Sequence, residues 1–309
     1  MGAAAIGVTR AEGVAFEPDG QGGWTVMLDG QPQSHVDLAD PGLVTFEYVQ
    51  HFCLAIASCS PTAPAPLRVT HVGGAGLTLA RWVQHTRPGS PQIVLEPDSA
   101  LSAAVRERLP LPRGHRIRVR PVDGRTGVDA LGSASADVIV LDAYAAGRVP
   151  AELVTPAFLT DVVRVLAPGG LLLANLADEP GLRWAARVLA TIAAVEGMAD
   201  LAILATHDVL KGRRFGNLVA VASKVGPQPL ATPTRADSAT SGLASSTHAG
   251  HRPRLDVNAL QRAAASAPIP TGVRSGSDLT RLIAGVRTLT DGGAVGSPPP
   301  PHPGAWRVR

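Results

Sequence analysis

Between residues 67 and 223, short apolar runs alternate with longer amphipathic stretches, and no other feature constrains the fold as strongly. The runs are continuous and rich in Val, Ile and Leu, which is typical of parallel strands covered by helices on both faces. The predicted helices are LTLARWVQHT, SALSAAVRERL, PAELVTPAFLTDVVRVL and LRWAARVLATIAAVEG. The predicted strands are LRVTHV, QIVLE, RIRVR, DVIVLD, GLLLANL, LAILAT and NLVAVAS.

The last two predicted strands have no helix between them, so the final strand is expected to return antiparallel. The sequence therefore predicts an α/β fold, namely a seven-stranded, mostly parallel, Rossmann-like sheet with helices on both faces and an antiparallel last strand.

Four regions are predicted along the chain. Residues 1–40 form an N-terminal β-hairpin region, because WTVMLDG alternates apolar residues and ends in an Asp-Gly turn signal. Residues 41–224 form the α/β domain, which opens with a helix in LVTFEYVQHFCLAIAS. Residues 225–252 are rich in Pro, Ser, Thr, Gly and Ala and are predicted to be a flexible linker. Residues 253–309 form a short helical extension and a proline-rich tail.

Composition and charge exclude several classes of partner. The net charge is only +3 and the arginines are scattered, so no nucleic-acid partner is expected. The basic turn KGRRFGN is interpreted as solvated, with contact to an anionic substrate as the alternative. Cys53 and Cys59 lie in one apolar run without further ligands nearby, which indicates reduced thiols and no metal. Without a signal peptide or a bilayer span, we expect a cytoplasmic protein with no membrane partner.

Glycines and an acid follow the first two predicted strands. Gly73, Gly74 and Gly76 stand where the first strand meets the next helix, so the backbone amides there can approach a ligand closely. Glu96 ends the second strand, where an acid can accept both hydroxyls of a ribose. Alone, Glu96 would be interpreted as a surface acid, because such acids are common at strand ends.

Polar residues also follow the third and fourth strands. Asp123 and Gly124 can receive the amine and ring of adenine, or form an ordinary Asp-Gly turn. Asp142, flanked by Tyr144, ends the fourth strand at the crevice where open α/β sheets bind ligands, or caps a helix. Because four such signals occur in order without a P-loop or GxGxxG, the sequence predicts a ligand with adenine and ribose but no pyrophosphate.

These stretches resemble the class I S-adenosylmethionine-dependent methyltransferase fold and, more narrowly, the spermidine synthase (polyamine aminopropyltransferase) family. Over residues 24–223, VMLDGQPQ resembles the family's LDGxxQ, HVGGAGLTLAR its GGGDGxxxR, IVLEPD its vvEiD, VDGR its gDG and VIVLDAYAAGRVPAEL its viivDssDPxGPaexL. FEYV and GRRFGN resemble stretches of actinobacterial spermidine synthase-like proteins.

The resemblance implies a transferase of polyamine biosynthesis that binds decarboxylated S-adenosylmethionine or S-adenosylmethionine and needs no metal. It also implies a small-molecule amine or other nucleophile as substrate, and pairing as a homodimer. It implies a catalytic acid at Asp142, which accepts a proton from the amine, and substrate contact at Tyr144. The implied cofactor-binding residues are Gln33, Gly73, Gly74, Gly76, Glu96, Asp123 and Gly124.

Two departures from the family pattern leave the reaction open. Gly76 stands where the family has an aspartate that holds the aminopropyl amine, and Ala145 stands where a second aspartate grips the diamine. One hypothesis is aminopropyl transfer to an amine. A second is a methyltransferase of unknown substrate, for which Gly76 would make room for the cofactor carboxylate. A third is a non-catalytic nucleoside-binding homologue.

Overall fold

The computed structural model describes residues 13–59, 61–226 and 255–301. These residues form one large mixed sheet with helices on both faces, beside a small antiparallel sheet. The linker predicted for residues 225–252 and the end of the predicted tail lie largely outside the described residues, so those boundaries stay predictions. The strands are β1 Val14–Pro18, β2 Gly23–Leu28, β3 Gln31–Asp37, β4 Val69–Val72, β5 Gln92–Leu95, β6 Ile117–Arg120, β7 Ala136–Leu141, β8 Leu166–Asp178, β9 Met198–Thr206, β10 Gly216–Lys224 and β11 Thr271–Ser275.

The large sheet has the strand order β11-β9-β10-β8-β7-β4-β5-β6. Strands β4 to β8 pair in parallel, and β10 is inserted antiparallel between β8 and β9, which confirms the predicted fold class and its reversed last strand. The sheet has eight strands rather than seven, because β11 pairs antiparallel with β9. The sequence TGVRS of β11 has no apolar run, so the hydrophobic pattern did not predict it.

The helices cover both faces of the large sheet. On one face α1 and α2 bury Phe52, Ile56 and Val83 against the strands, and on the other α5 and α6 bury Phe158 and Leu189. The helices are α1 Glu47–Ala57, α2 Thr78–Thr86, α3 Ser99–Arg108, α4 Gly124–Asp129, α5 Pro156–Val165, α6 Arg183–Ala194, α7 His207–Leu210, α8 Val257–Ala265 and α9 Gly276–Ile283, with a 3-10 turn at Ala151–Leu153. In the described part of the chain, no helix has the length and apolar character needed to cross a bilayer.

The small sheet β1-β2-β3 lies against the start of α2 and against α3, and it has one strand more than the predicted hairpin. Val26 and Val36 pack with Leu77 and Val105 in this contact. Strand β3 also bonds the turn after β4, since the Gly76 amide donates to Ser34 Oγ at 3.0 Å. The small sheet therefore forms one wall of the region above the carboxyl ends of the parallel strands.

Candidate active site

A cavity of about 440 Å³ opens where the carboxyl ends of β4, β5 and β7 meet. Strand β4 lies between β5 on one side and β7 on the other, so the strand order reverses at this point. Open α/β sheets bind ligands at such a switch point. Eight of the predicted site residues line it, namely Gln33, Gly73, Gly74, Glu96, Asp123, Gly124, Asp142 and Tyr144.

The glycine turn after β4 lies directly against the end of β7. Gly73 has a φ of +89°, and a Cβ on it would overlap the Asp142 carbonyl oxygen. A Cβ on Gly74 would lie 2.5 Å from Val94 Cγ1. Glycine is therefore favoured at position 73 by the left-handed backbone and close approach, and at position 74 by the close approach to Val94.

Glu96 orders this turn from the end of β5. Its Oε2 accepts hydrogen bonds from the amides of Gly74 at 3.1 Å and Ala75 at 3.3 Å, and its Oε1 accepts one from the Asp98 amide at 3.1 Å. The carboxylate thus both lines the cavity and holds the glycine turn.

Arg81 anchors the far end of the turn. Its buried guanidinium donates to the carbonyls of Gly76, Leu109 and Pro110 at 2.5–3.3 Å. Burial lowers the pKa of Arg81 to about 10, so the group stays charged at neutral pH.

Asp123 and Gly124 line the cavity where α4 begins. Asp123 Oδ1 accepts from the Thr126 amide at 2.8 Å, and this cap lowers the pKa of the carboxyl. A Cβ on Gly124 would overlap Val72 Cγ1 and lie 3.2 Å from a Leu153 methyl group. Asp123 is therefore a helix cap as well as a cavity residue, and Gly124 beside it packs against Val72 and Leu153.

Asp142 lies at the end of β7, next to the glycine turn, and the cavity leaves its carboxyl half-buried. Its Oδ1 accepts from Asn175 Nδ2 at 2.9 Å, and the Tyr48 hydroxyl also donates to the carboxyl. Burial raises the pKa of Asp142 to about 6, although both hydrogen bonds act in the opposite direction. An acid with this pKa is ionised at neutral pH and can take up a proton.

The polar network continues across β8 and β10. Asn217 Nδ2 donates to Asn175 Oδ1 at 2.9 Å and to the Tyr144 hydroxyl at 3.1 Å. Burial, together with the charge of Asp142, raises the pKa of both Tyr48 and Tyr144, so both phenols are neutral. Asp142 is thus surrounded by neutral donors that orient it without neutralising it.

Sequence reasoning did not identify Tyr48, Asn175 and Asn217 as site residues. A signal for each was present: Tyr48 lies in FEYV, Asn217 ends GRRFGN, and Asn175 interrupts the apolar run GLLLANL. FEYV and GRRFGN, the two stretches that resemble actinobacterial proteins, therefore each supply one residue of the hydrogen-bond network around Asp142.

The basic turn before β10 does not reach the cavity. Arg214 lies 3.2 Å from Glu47 and Arg213 lies 3.7 Å from Asp208, and neither arginine lines the cavity. The structure therefore gives no support to contact between these arginines and a substrate in the cavity.

Gly76 is not among the residues that line the cavity, so its contact with a cofactor stays a prediction. A Cβ there would lie 2.7 Å from Ser34 Cβ and 3.1 Å from Val26 Cγ2. The space expected for a cofactor carboxylate is therefore filled by β2 and β3. Ala145 does line the cavity, but with a methyl group.

Metal ligands and reactive thiols are not brought together in the described residues. No group of three His, Cys, Asp or Glu side chains in residues 13–59, 61–226 and 255–301 is placed to hold a metal ion. Both cysteines are free, and burial raises their thiol pKa, to about 11 for Cys59.

Comparison with solved structures places the chain among transferase folds. A probable spermidine synthase from Corynebacterium glutamicum is 28% identical, with a TM-score of 0.73 over 93% of this chain and 95% of that one. Spermidine synthase from Thermotoga maritima is 18% identical, with a TM-score of 0.51 over 68% of this chain and 69% of that one, which supports the fold alone. No family model and no curated protein matches the chain. The predicted resemblance to spermidine synthases is confirmed at the level of structure.

Proposed function

We propose that this protein is a transferase that binds an adenosyl sulfonium compound and transfers its aminopropyl group to an amine. The observation that carries the proposal is the placement of Asp142, an acid with a pKa of about 6, beside the glycine turn in a network of neutral donors. The likeness to the Corynebacterium glutamicum protein, described as a probable spermidine synthase, supports the same assignment.

The cavity fits a nucleoside. Gly73, Gly74 and Gly124 line the cavity, and the lack of side chains lets their backbone pack closely against Asp142, Val94 and Val72. Glu96 would accept the ribose hydroxyls, and Asp123 would accept the adenine amine. Gln33 reaches the same cavity from β3 and would contact the same ligand.

When bound, the sulfonium supplies an electrophilic carbon and a thioether leaving group. The chain's own residues would then align the acceptor amine and accept its proton, and alignment is the larger contribution expected. Asp142 would take the proton released from nitrogen as the new C–N bond forms. Tyr48 and Asn175 would hold the carboxylate toward the cavity.

The acceptor end of the cavity suits an amine with one positive charge better than a diamine. Ala143, Tyr144 and Ala145 form this wall, and Asp142 is its carboxylate. Ala145 offers a second ammonium group no carboxylate to offset its desolvation, and Glu152, which also lines the cavity, is exposed to solvent. We therefore expect a monoamine acceptor to have a lower KM than a diamine of similar length.

Methyl transfer is the alternative, and one observation favours it. With glycine at position 76 and Ser34 filling the space beside it, the acid that holds the aminopropyl amine in the family has no counterpart at that position. Nothing at position 76 would then select for a decarboxylated methionine moiety, although β2 and β3 leave no extra room there for a carboxylate.

Calorimetry with S-adenosylmethionine and its decarboxylated form separates the two reactions. Aminopropyl transfer predicts at least a tenfold lower Kd for the decarboxylated form and release of methylthioadenosine with a panel of monoamines and diamines. The Asp142→Asn variant should bind both forms of the cofactor with the wild-type Kd and release no methylthioadenosine. Preference for S-adenosylmethionine would overturn the proposal in favour of methyl transfer, and binding without any product would favour a non-catalytic protein.

A further inference from the structure

The described C-terminal part of the chain ends in an extended segment, residues 286–301, which we call the strap. Only two of its side chains, those of Leu289 and Ser297, are buried. Leu289 enters the core beneath α6, where its amide donates to Thr191 Oγ at 2.8 Å. Such sparse burial in a long extended segment suggests that its few fixed points have specific tasks.

From Leu289 the strap crosses to the start of α5 and then returns to the start of α6. The Val295 carbonyl accepts from Trp184 Nε1 at 2.8 Å. Asp291 accepts from the Ala157 amide at 2.9 Å and so helps cap α5. These contacts bring residues 296–300 to the loop between β7 and α5, which begins directly after Asp142.

Ser297 bonds the backbone of Val149, at the base of this loop, in both directions. The Val149 amide donates to Ser297 Oγ at 2.9 Å, and the Ser297 amide donates to the Val149 carbonyl at 3.2 Å. A Cβ on Gly296 would lie 2.8 Å from the same carbonyl, so the strap approaches the loop closely. Pro300 contacts the loop again at Gly147.

The loop forms one wall of the cavity but has few anchors of its own. Tyr144, Ala145 and Ala146 line the cavity, while residues 145–148 are exposed. Its internal hydrogen bonds are those between the backbones of Ala145 and Arg148, at 2.8 and 3.0 Å. The fully buried pair Val149 and Ser297 therefore fixes the end of the wall opposite Asp142.

We infer that the strap sets the shape of the acceptor side of the cavity and that Ser297 is the positioning residue through which it acts. The assignment of this wall to the acceptor rests on the proposed function, whereas the control of loop order by the strap does not. Loss of the Ser297 hydroxyl leaves the buried Val149 amide without its acceptor. Residues 145–148 then lose their fixed position, whereas Tyr144 stays bonded to Asn217 and the glycine turn keeps its place.

Hydrogen exchange measured by mass spectrometry tests this on the full chain. In Ser297→Ala, amides in a peptide spanning residues 144–149 should exchange roughly tenfold faster, as expected for the loss of one buried hydrogen bond. Peptides from β4, β5 and β8 should be unchanged, and the Kd for methylthioadenosine should change less than twofold. Gly296→Val, which forces the strap away from Val149, should have the same local effect.

Ser266→Ala is the matched control, because this exposed serine bonds only carbonyls of its own helix, α8, and should leave exchange in residues 144–149 unaltered. Unchanged exchange in residues 144–149 in both Ser297→Ala and Gly296→Val would overturn the inference. An equal increase in all peptides would also overturn it, because Ser297 would then support overall stability only. Neither readout uses turnover, so failure of the proposed function would be seen separately.

Discussion

Replacing Asp142 by asparagine should abolish turnover and, at the same time, stabilise the protein. Burial raises the pKa of this carboxyl from 3.8 to about 6, so the folded state bears a cost for its negative charge at neutral pH. A shift of about two units corresponds to roughly 3 kcal/mol at most. Because the cavity side of the group can be solvated, we expect a gain of about 1–3 kcal/mol in the free energy of unfolding.

The pH dependence of this gain has a definite sign. Between pH 3.8 and about 6 the folded wild type binds more protons at Asp142 than the unfolded chain does, so its stability falls as pH rises through this range. The advantage of the asparagine variant should therefore be complete above about pH 6, about half as large at pH 5, and absent near pH 3.8.

Thermal unfolding at pH 8 and pH 5 measures the effect. For a chain of this size the gain corresponds to a rise in Tm of about 2–6 °C at pH 8. Asp123→Asn is the matched control, because that carboxyl has a lowered pKa at a helix start and its loss should slightly lower the Tm. The reasoning would be refuted if the Tm of Asp142→Asn were no higher than that of wild type at pH 8. It would also be refuted if the rise in Tm were the same at pH 5 as at pH 8.

Two further predictions concern the same cavity. Tyr48→Phe removes a hydrogen bond that favours the ionised form of Asp142. The acidic limb of the pH profile of kcat should therefore move to higher pH by up to about one unit, while the Kd for methylthioadenosine stays unchanged. An acidic limb that does not move would exclude a role for Tyr48 in setting the pKa of Asp142. Gly73→Ala should weaken methylthioadenosine binding at least tenfold in calorimetry, because its φ is +89° and the added methyl group meets the Asp142 carbonyl. Gly132→Ala, at an exposed site where the methyl group meets nothing, should bind normally, and normal binding by both variants would contradict the close approach at Gly73.

The residues at strand ends were predictable, but the residues that surround Asp142 were not. Acids and glycines at the ends of apolar runs identify the cavity, because parallel strands end at one edge of a sheet. Asn175 and Asn217 come together only through the register of β8 and β10, in which Asn217 lies opposite Ala177 and Asn175 opposite Val219. The residue patterns of β8 and β10 do not show which residues of the two strands lie opposite each other.

Gly76 illustrates the same limit. Its place in the glycine motif could be determined from the sequence alone, by counting back from Arg81. Ser34, which lies 42 positions earlier, fills the space beside it, because β3 crosses the turn at that point. A motif therefore fixes which residue occurs in the turn, but the neighbouring element decides what surrounds that residue.

The two margins of the large sheet differ in how they discourage pairing with a second copy. At one margin Arg118 and Arg120 of β6, and Arg116 just before it, are exposed, and their like charges disfavour a second strand there. At the other, the apolar strand β9 is covered by β11, which begins 65 residues after β9 ends. Until those residues emerge, nascent β9 presents an open edge, so aggregation during synthesis should be most acute in chains that stall between the two strands.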